Sequence, residues 1–511
     1  MRCFLVYVRD ENYYRLLPDR FSRRKFGGRV PVMAFPPLGI QTLAPVLRQR
    51  DHQVRLFDTA HPDMKPDAIA RAVEEERPDV IALSFLSTTS YPSTKQVAAR
   101  MKQAAPHIPV ILGGAFATMN APHILADCPH ADAVGRGEGE ELLPDYLANL
   151  SKPEDVLGLS WRRGAEIVNN PDAPILKDLD RYPYPDRDSI PIEYIESMPL
   201  DVPAVLSLDR FCTMQTSRGC PYPCIYCDIP ALADGKWRSR SPEHVLGEMQ
   251  QLDDQGYRSV YLTDDHFLLK RKRIEAICQG MIDRKLSLRW GCEGRVDSVA
   301  VDQFPLMAKA KCSMLAFGVE AGTQKVLDRL KKGQKLGQIE YAVKKAKKDG
   351  IGSAHGFFLI GAPNETADDV LESFRFAARL ELDTFGFNRL CAYRGTPLWQ
   401  EYVERGIIDD DADWNKWFKC SDIDPTILPS EELNQLRMQG YVLLFKERIV
   451  KRPWATFKLL RTLSRHMSMK DLYTLLASPF RKRALTKAPD LPVKMLDAGL
   501  TAPPRGAMAL A

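Results

Sequence analysis

Along the first 150 residues short apolar runs alternate with segments of helical spacing. Cys3–Val8 predicts a buried strand, and Ile40–Arg48 has helical apolar spacing despite Pro45. Val54–Phe57, Val80–Phe85 and Val110–Leu112 predict further strands, with helices over Ala68–Glu75 and Ser93–Ala104 between them. Ala133–Val134 opens one more strand, which ends at Arg136-Gly137-Glu138-Gly139-Glu140. Strict alternation of this kind predicts an α/β unit over residues 1–150, a doubly wound, Rossmann-like parallel sheet. Such sheets bind ligands beyond the carboxyl ends of their strands. Those ends carry Pro36-Pro37-Leu38-Gly39, Ser87-Thr88-Thr89-Ser90, Gly113-Gly114 and Gly137-Glu138-Gly139. Small residues there let a ligand approach the backbone, although each group also serves as an ordinary turn.

Residues 151–204 lose this rhythm. Pro171-Asp172-Ala173-Pro174 and Tyr182-Pro183-Tyr184-Pro185 read as a linker. The alternation resumes near Leu206. Strands are expected at Cys212–Gln215, Ser259–Thr263, Arg289–Cys292, Met314–Phe317, Gly356–Ile360 and Phe385–Leu390. Helical patterns separate them at Pro242–Leu252, Arg271–Arg284, Val301–Ala310, Gln324–Leu330, Leu336–Asp349 and Thr366–Leu380. Six βα units predict a partial (β/α)6 barrel over residues 205–420, with its active site at the C-terminal strand ends. Residues 421–511 read as a basic helical extension, and the Pro- and Ala-rich end from Ala488 is expected to be disordered.

Composition narrows the class. The chain has 511 residues, 45% hydrophobic and 27% charged, which excludes a disordered or low-complexity scaffold. A net charge of +5 is too weak to argue for nucleic acid. The charge is unevenly placed: Lys446–Arg483 holds eleven Lys and Arg against Glu447 and Asp471. With Trp454, Phe457, Leu459 and Leu460 this segment suits a membrane surface or an anionic or amphipathic substrate, or simply forms a solvated helix face. No apolar run reaches the roughly 18 residues of a membrane span, and the first residues lack the pattern of an export signal, so a cytoplasmic protein is expected.

Eleven cysteines in such a chain are not expected to pair as disulfides. Eight are scattered and read as small buried hydrophobes. Cys220, Cys224 and Cys227 lie together in Thr-Ser-Arg-Gly-Cys-Pro-Tyr-Pro-Cys-Ile-Tyr-Cys. Three thiolates this close can wrap one soft-metal centre. Zinc wants a fourth ligand, and the nearest histidine is His244. A 4Fe–4S cluster held by three cysteines leaves one iron open for chemistry. Iron–sulfur, zinc and a metal-free loop all stay open on the residues alone.

Cys220-x3-Cys224-x2-Cys227, with an aromatic before the last cysteine, resembles the radical S-adenosylmethionine superfamily. Further motifs agree in order: Leu262-Thr263-Asp264-Asp265-His266-Phe267, Trp290-Gly291-Cys292-Glu293-Gly294-Arg295, Phe317-Gly318-Val319-Glu320-Ala321-Gly322, Gly356–Thr366 and Tyr393–Leu398. The first unit, through Phe35–Gly39, Asp79–Ser84, Leu112-Gly113-Gly114 and Arg136–Glu140, resembles the cobalamin-binding domain fused to such enzymes. Members of that fused family are methyltransferases or, like the anaerobic magnesium-protoporphyrin ester cyclase, oxidative cyclases.

The resemblance implies three cofactors: a 4Fe–4S cluster on Cys220, Cys224 and Cys227, S-adenosylmethionine, and cobalamin. It implies carboxylates of Asp264 and Asp265 near the methionine ammonium, Arg295 near the methionyl carboxylate and Glu320 at the ribose. Tyr226, Phe358 and Gly361 are implied near adenine. Pro37, Gly39, Thr88, Thr89, Gly113, Gly114, Gly137 and Glu138 are implied at the corrin. The Asp-x-His-x-x-Gly motif that ligates cobalt is missing, and His61 fits neither its order nor its spacing, so cobalt is expected without a protein imidazole. The implied reaction is radical cleavage of S-adenosylmethionine followed by methyl transfer to an unactivated carbon, with an electron donor such as flavodoxin or ferredoxin. An oxidative cyclisation or other radical rearrangement is the alternative, and a cobalamin- or redox-sensing binding protein is a second.

Overall fold

The computed structural model describes residues 1–9, 14–16, 29–31, 36–190 except 62, and 211–454 except 299 and 452. In its first sheet the strands are β1 (Arg2–Tyr7), β2 (Gln53–Asp58), β3 (Val80–Ser84), β4 (Val110–Gly113), β5 (Ala133–Gly135), β6 (Leu159–Arg163) and β7 (Glu166–Asn169), in spatial order β2-β1-β3-β4-β5-β6-β7. The first five run parallel, and β6 and β7 add antiparallel at the edge. Helices α1 (Leu38–Arg48), α2 (Pro66–Glu76), α3 (Tyr91–Ala104), α4 (Ala115–Asp127) and α5 (Gly139–Ala148) cover both faces. The order turns at β1, where sequential strands depart to either side, and that reversal opens the crevice of a doubly wound sheet. Strands covered on both sides need continuous apolar runs, and Phe4, Leu5, Val6, Ile81 and Leu83 are buried accordingly.

The segment expected as a linker is a linker only in part. Its first third folds as β6 and β7, a hairpin turned at Gly164 with φ +64, so the first sheet extends to Asn169. Residues 171–190 then run without regular structure between the two units. Arg187 anchors that stretch to the barrel through buried bonds to the Thr213 carbonyl (2.9 Å) and Glu248 (2.6 Å).

The second sheet is wholly parallel and sequential: β8 (Phe211–Met214), β9 (Ser259–Leu262), β10 (Arg289–Gly294), β11 (Cys312–Glu320), β12 (Ser353–Ile360) and β13 (Thr384–Arg389). Each of the first five strands leads into helix on the outer surface, among them α6 (Pro242–Asp254), α7 (Arg271–Asp283) and α11 (Ala367–Arg379). This is the expected partial barrel. Its larger core lies between strands and helices, where Trp290, Cys292, Phe317 and Phe358 are fully buried. A smaller core of Phe211, Tyr261, Met314 and Ala316, with Phe357 against it, fills the inner face.

The C-terminal extension belongs to the barrel as far as it is described. Helix α13 (Ser430–Lys451) buries Leu433, Leu436, Tyr441 and Leu444 in the barrel core. A Cβ at Gly440 would meet the Phe374 ring at 2.2 Å, so glycine allows α13 to close on α11. Arg448, one of the basic residues counted above, is fully buried and donates to the Leu382 carbonyl at 2.7 Å. The remaining basic residues lie outside the described range, apart from Lys446 and Lys451. No helix among the described residues is long and apolar enough to cross a membrane.

Candidate active site

The cysteine loop leaves β8 and is pinned before it reaches Cys220. Asp264, following β9, accepts from the Thr216 amide (2.6 Å) and from the hydroxyls of Thr216 and Ser217 (both 2.5 Å). Asp265 accepts from the Gly219 amide at 2.6 Å. Gly219 has φ +85, and a Cβ there would lie 2.1 Å from the Lys236 carbonyl oxygen, so this step admits only glycine. Ser217-Arg218 also pairs antiparallel with Arg238-Ser239. The Thr-Ser-Arg-Gly segment is thus the foundation of the thiol loop.

Cys220 and Cys227 are half-buried and Cys224 is buried. Each of the three lies close enough to its neighbours for their charges to interact. Burial pushes the Cys227 thiol up to about 12, and raises Cys220 too. Binding metal here displaces those protons. Among the described residues no three His, Cys, Asp or Glu side chains close around a single ion.

Arg295, at the end of β10, reaches this loop. Its guanidinium lies 3.7 Å over the Tyr222 ring, and Nη1 stands 3.7 Å from Cys224 Sγ. It also forks onto Asp297 with two bonds of 2.9 Å and donates to the Lys332 carbonyl. His266 is fully buried with its ring 5.6 Å from that of Tyr222, and neither ring nitrogen has a hydrogen-bond partner. Burial, with the Arg295 charge next, drives its pKa down to about 4, so the ring is neutral. Three clustered thiols, an arginine at one of them and an orphaned imidazole beside the loop fit a soft-metal cluster.

The predicted S-adenosylmethionine residues divide. Asp265 lies on the open wall of the barrel mouth, where the surrounding protein raises its pKa to about 6 against the Gly219 bond. Asp264 is 2% exposed, and its carboxylate is taken up by the three bonds from Thr216 and Ser217. Glu320, at φ +65, is paired with Lys332 at 2.7 Å, and its charge acts on the Tyr226 phenol. Burial and Glu320 hold the Tyr226 phenol well above its usual range. Gly361 sits at φ +84 and donates to Glu365 at 2.5 Å. Phe358 contradicts its implied place: it faces the helices, stacked on Phe387 at 4.5 Å, and Phe357 is the ring on the inner face.

At the first sheet's rim, Pro37 precedes α1, and Gly39 in its first turn has open space where a Cβ would be. Thr88 and Thr89 lie in the 3-10 turn before α3, with the Ser87 hydroxyl 2.9 Å from that of Thr89. Gly113 and Gly137, both at carboxyl ends of strands, likewise have nothing within 4 Å of a Cβ; the rim that carries these glycines is termed the cradle. Gly114 is different, because a Cβ there would lie 2.1 Å from the Phe85 carbonyl oxygen. Glu138 also departs from expectation, since it is bonded to the barrel through Arg218 (2.8 Å) and Arg238 (2.6 Å). Leu86 was not anticipated; it follows β3 and is 58% exposed, and its signal was an apolar residue just past a strand end.

Comparison with known proteins agrees with this architecture. A B12 binding domain model matches residues 25–147, and a radical SAM superfamily model matches residues 214–377. The chain belongs to the cobalamin-binding-domain radical S-adenosylmethionine family. It is 29% identical to an uncharacterized methyltransferase of Pyrococcus horikoshii, over 80% of this chain and 87% of that one. It is 26% identical to the anaerobic magnesium-protoporphyrin IX monomethyl ester cyclase of Rubrivivax gelatinosus, over 81% and 74%. Among solved structures, the radical S-adenosylmethionine methyltransferase TsrM of Kitasatospora setae, with tryptophan and a cofactor analogue bound, superimposes with TM-score 0.66 at 19% identity, covering 79% of this chain and 76% of that one. The cobalamin-dependent radical enzyme OxsB, with aqua-cobalamin and S-adenosylmethionine bound, does so with TM-score 0.67 at 17% identity, covering 93% and 72%.

Proposed function

We propose that this family member is a cobalamin-dependent radical methyltransferase acting on a small molecule. The observation that carries this reading is a contact between the two units: Glu138, next to Gly137 at the first sheet's rim, is bonded to Arg218, two residues before Cys220. When bound, the reduced cluster supplies the electron that cleaves S-adenosylmethionine, and the corrin supplies the methyl group.

The chain's own residues would do the rest. Cys220, Cys224 and Cys227 hold the cluster. Asp264, Arg295 and the Glu320–Lys332 pair fix the loop and strand ends around it. Asp265, the open carboxylate of the mouth, receives an ammonium. The tyrosine, methionine and phenylalanine floor closes the barrel below and keeps water from a reactive radical. On the inner wall Glu293 is bonded to the Tyr261 hydroxyl at 2.7 Å, and burial raises its pKa. Its wall favours an uncharged, largely apolar reacting portion over the anionic substrate that the basic tail suggests. A small reduced flavoprotein or ferredoxin is proposed as electron donor, with a cytoplasmic setting.

The test is metal content and products of anaerobically purified protein. The reading expects about four irons and about one cobalt per chain, with release of deoxyadenosine and S-adenosylhomocysteine together. Iron and deoxyadenosine without cobalt or S-adenosylhomocysteine would leave the cyclase-type alternative.

A further inference from the structure

The carboxylates of the Gly137-Glu138-Gly139-Glu140 turn point away from the cradle and into the barrel. Glu138 Oε1 accepts from Arg218 at 2.8 Å, and its Oε2 accepts from Arg238 at 2.6 Å and from the Leu176 amide at 2.8 Å. Glu140 takes the other tooth of the Arg218 fork at 2.5 Å. The Glu140 side chain is 5% exposed, and those of Arg218 and Glu138 are each 18% exposed. Arg218 stands two residues before Cys220, and Glu138 follows Gly137 of the cradle. One charge cluster therefore joins both cofactor-facing loops.

A second contact lies elsewhere on the same interface. Trp414, from the barrel's side of the chain, is buried among Tyr91, Phe116 and His123 of the first unit. Arg394, after β13, donates to Asn120 and to the Met119 carbonyl, and is forked onto Asp410. The two units therefore touch at two separate places.

We propose that Glu138, Glu140 and Arg218 form an interdomain clasp whose work is positioning: it sets the gap between the corrin cradle and the thiol loop. The proposal rests on the methyltransferase reading, and it removes Glu138 from the corrin contacts. A bidentate guanidinium between two carboxylates fixes orientation as well as distance, which a flexible linker cannot do. Displacement of reacting groups by about 1 Å costs on the order of 100-fold in rate. Loosening the clasp should thus uncouple S-adenosylmethionine cleavage from methyl delivery.

The experiment compares wild-type protein with Glu138→Gln and, as a milder variant, Glu140→Gln. In the reconstituted enzyme, cob(II)alamin and the reduced cluster are observed by EPR. Iron and cobalt contents should match wild type, while the magnetic interaction between the two centres weakens or broadens. The ratio of deoxyadenosine to S-adenosylhomocysteine should rise about tenfold or more. In cofactor-free protein, amide exchange should accelerate at Gly219 and Leu176 together, by about tenfold. Unchanged EPR coupling and product ratio would overturn the proposal. So would loss of cobalt with Gly219 exchange unchanged, which would make Glu138 a corrin contact. Should wild type take up no cobalamin, the methyltransferase reading fails by itself, and acceleration confined to one loop would then refute the clasp.

Discussion

Gly113 and Gly114 are neighbours in sequence, yet alanine at the two should behave in opposite ways. Gly114 has φ +110 and ψ 179, a region essentially closed to side chains. Forcing alanine into it costs about 1–3 kcal/mol. The new Cβ would also stand 2.1 Å from the Phe85 carbonyl oxygen, so β3 or the start of α4 must move by nearly 1 Å. Overpacking of that kind adds about 1–3 kcal/mol. Gly114→Ala should therefore lose about 2–6 kcal/mol, or roughly 4–20 °C of melting temperature for a unit of this size. Gly113 has open space at its Cβ, so Gly113→Ala should stay within about 0.5 kcal/mol of wild type. Gly113→Leu should keep the fold and lose cobalamin, because the side chain enters the cradle. The assays are thermal unfolding by circular dichroism and cobalt retained after desalting. Wild-type stability in Gly114→Ala, or full cobalt in Gly113→Leu, would refute the reasoning.

Other outcomes follow from the barrel. Alanine at Cys220, Cys224 or Cys227 should each abolish iron retention and deoxyadenosine formation, while Cys212→Ala, fully buried one strand earlier, should retain both; an essential Cys212 and a dispensable Cys227 would contradict the ligand assignment. Arg295→Ala should lower iron retention under a chelator, with Arg295→Lys intermediate because lysine cannot fork onto Asp297; iron content equal to wild type in both would deny the arginine its place at Cys224. Glu320→Gln leaves Lys332 buried without its counter-charge and should cost about 3–5 kcal/mol in urea unfolding; a loss under about 1 kcal/mol would mean that the pair is solvated. Burial raises Glu365 from 4.5 to about 7 against the amides of Gly361 and Ala362. Its contribution is therefore full below pH 4.5 and is lost as pH rises through about 7, so wild type should lose up to about 3 kcal/mol relative to Glu365→Gln over that window. A difference that stays flat with pH would contradict the raised pKa.

Much of the fold was legible because its strands alternate with helices in a fixed order. The barrel strands lie within a few residues of their apolar runs, and the thiol spacing pointed to the site without help from the fold. What the sequence hid has physical causes. Gly-Phe-Phe-Leu-Ile is apolar at every position from Phe357 on, so it carries no parity, and Phe358 was placed on the wrong face. Helices α4 and α5 contain Pro122 and Pro144, which mask their periodicity. The β6–β7 hairpin reads as linker because proline-rich sequence follows it. Charge partners were least legible of all: Glu138 looks like a ligand residue beside two glycines until Arg218, 80 positions away, is seen on it.

The central claim is that one chain brings a radical-generating cluster and a methyl-carrying corrin to the same substrate. The most direct measurement is a single incubation of reconstituted protein with S-adenosylmethionine and a reductant, with deoxyadenosine and S-adenosylhomocysteine quantified together. The account predicts both products from wild type, deoxyadenosine lost and S-adenosylhomocysteine retained in Cys227→Ala, and the reverse in Gly113→Leu. Deoxyadenosine alone from wild-type protein supplied with cobalamin, or neither product, would contradict it.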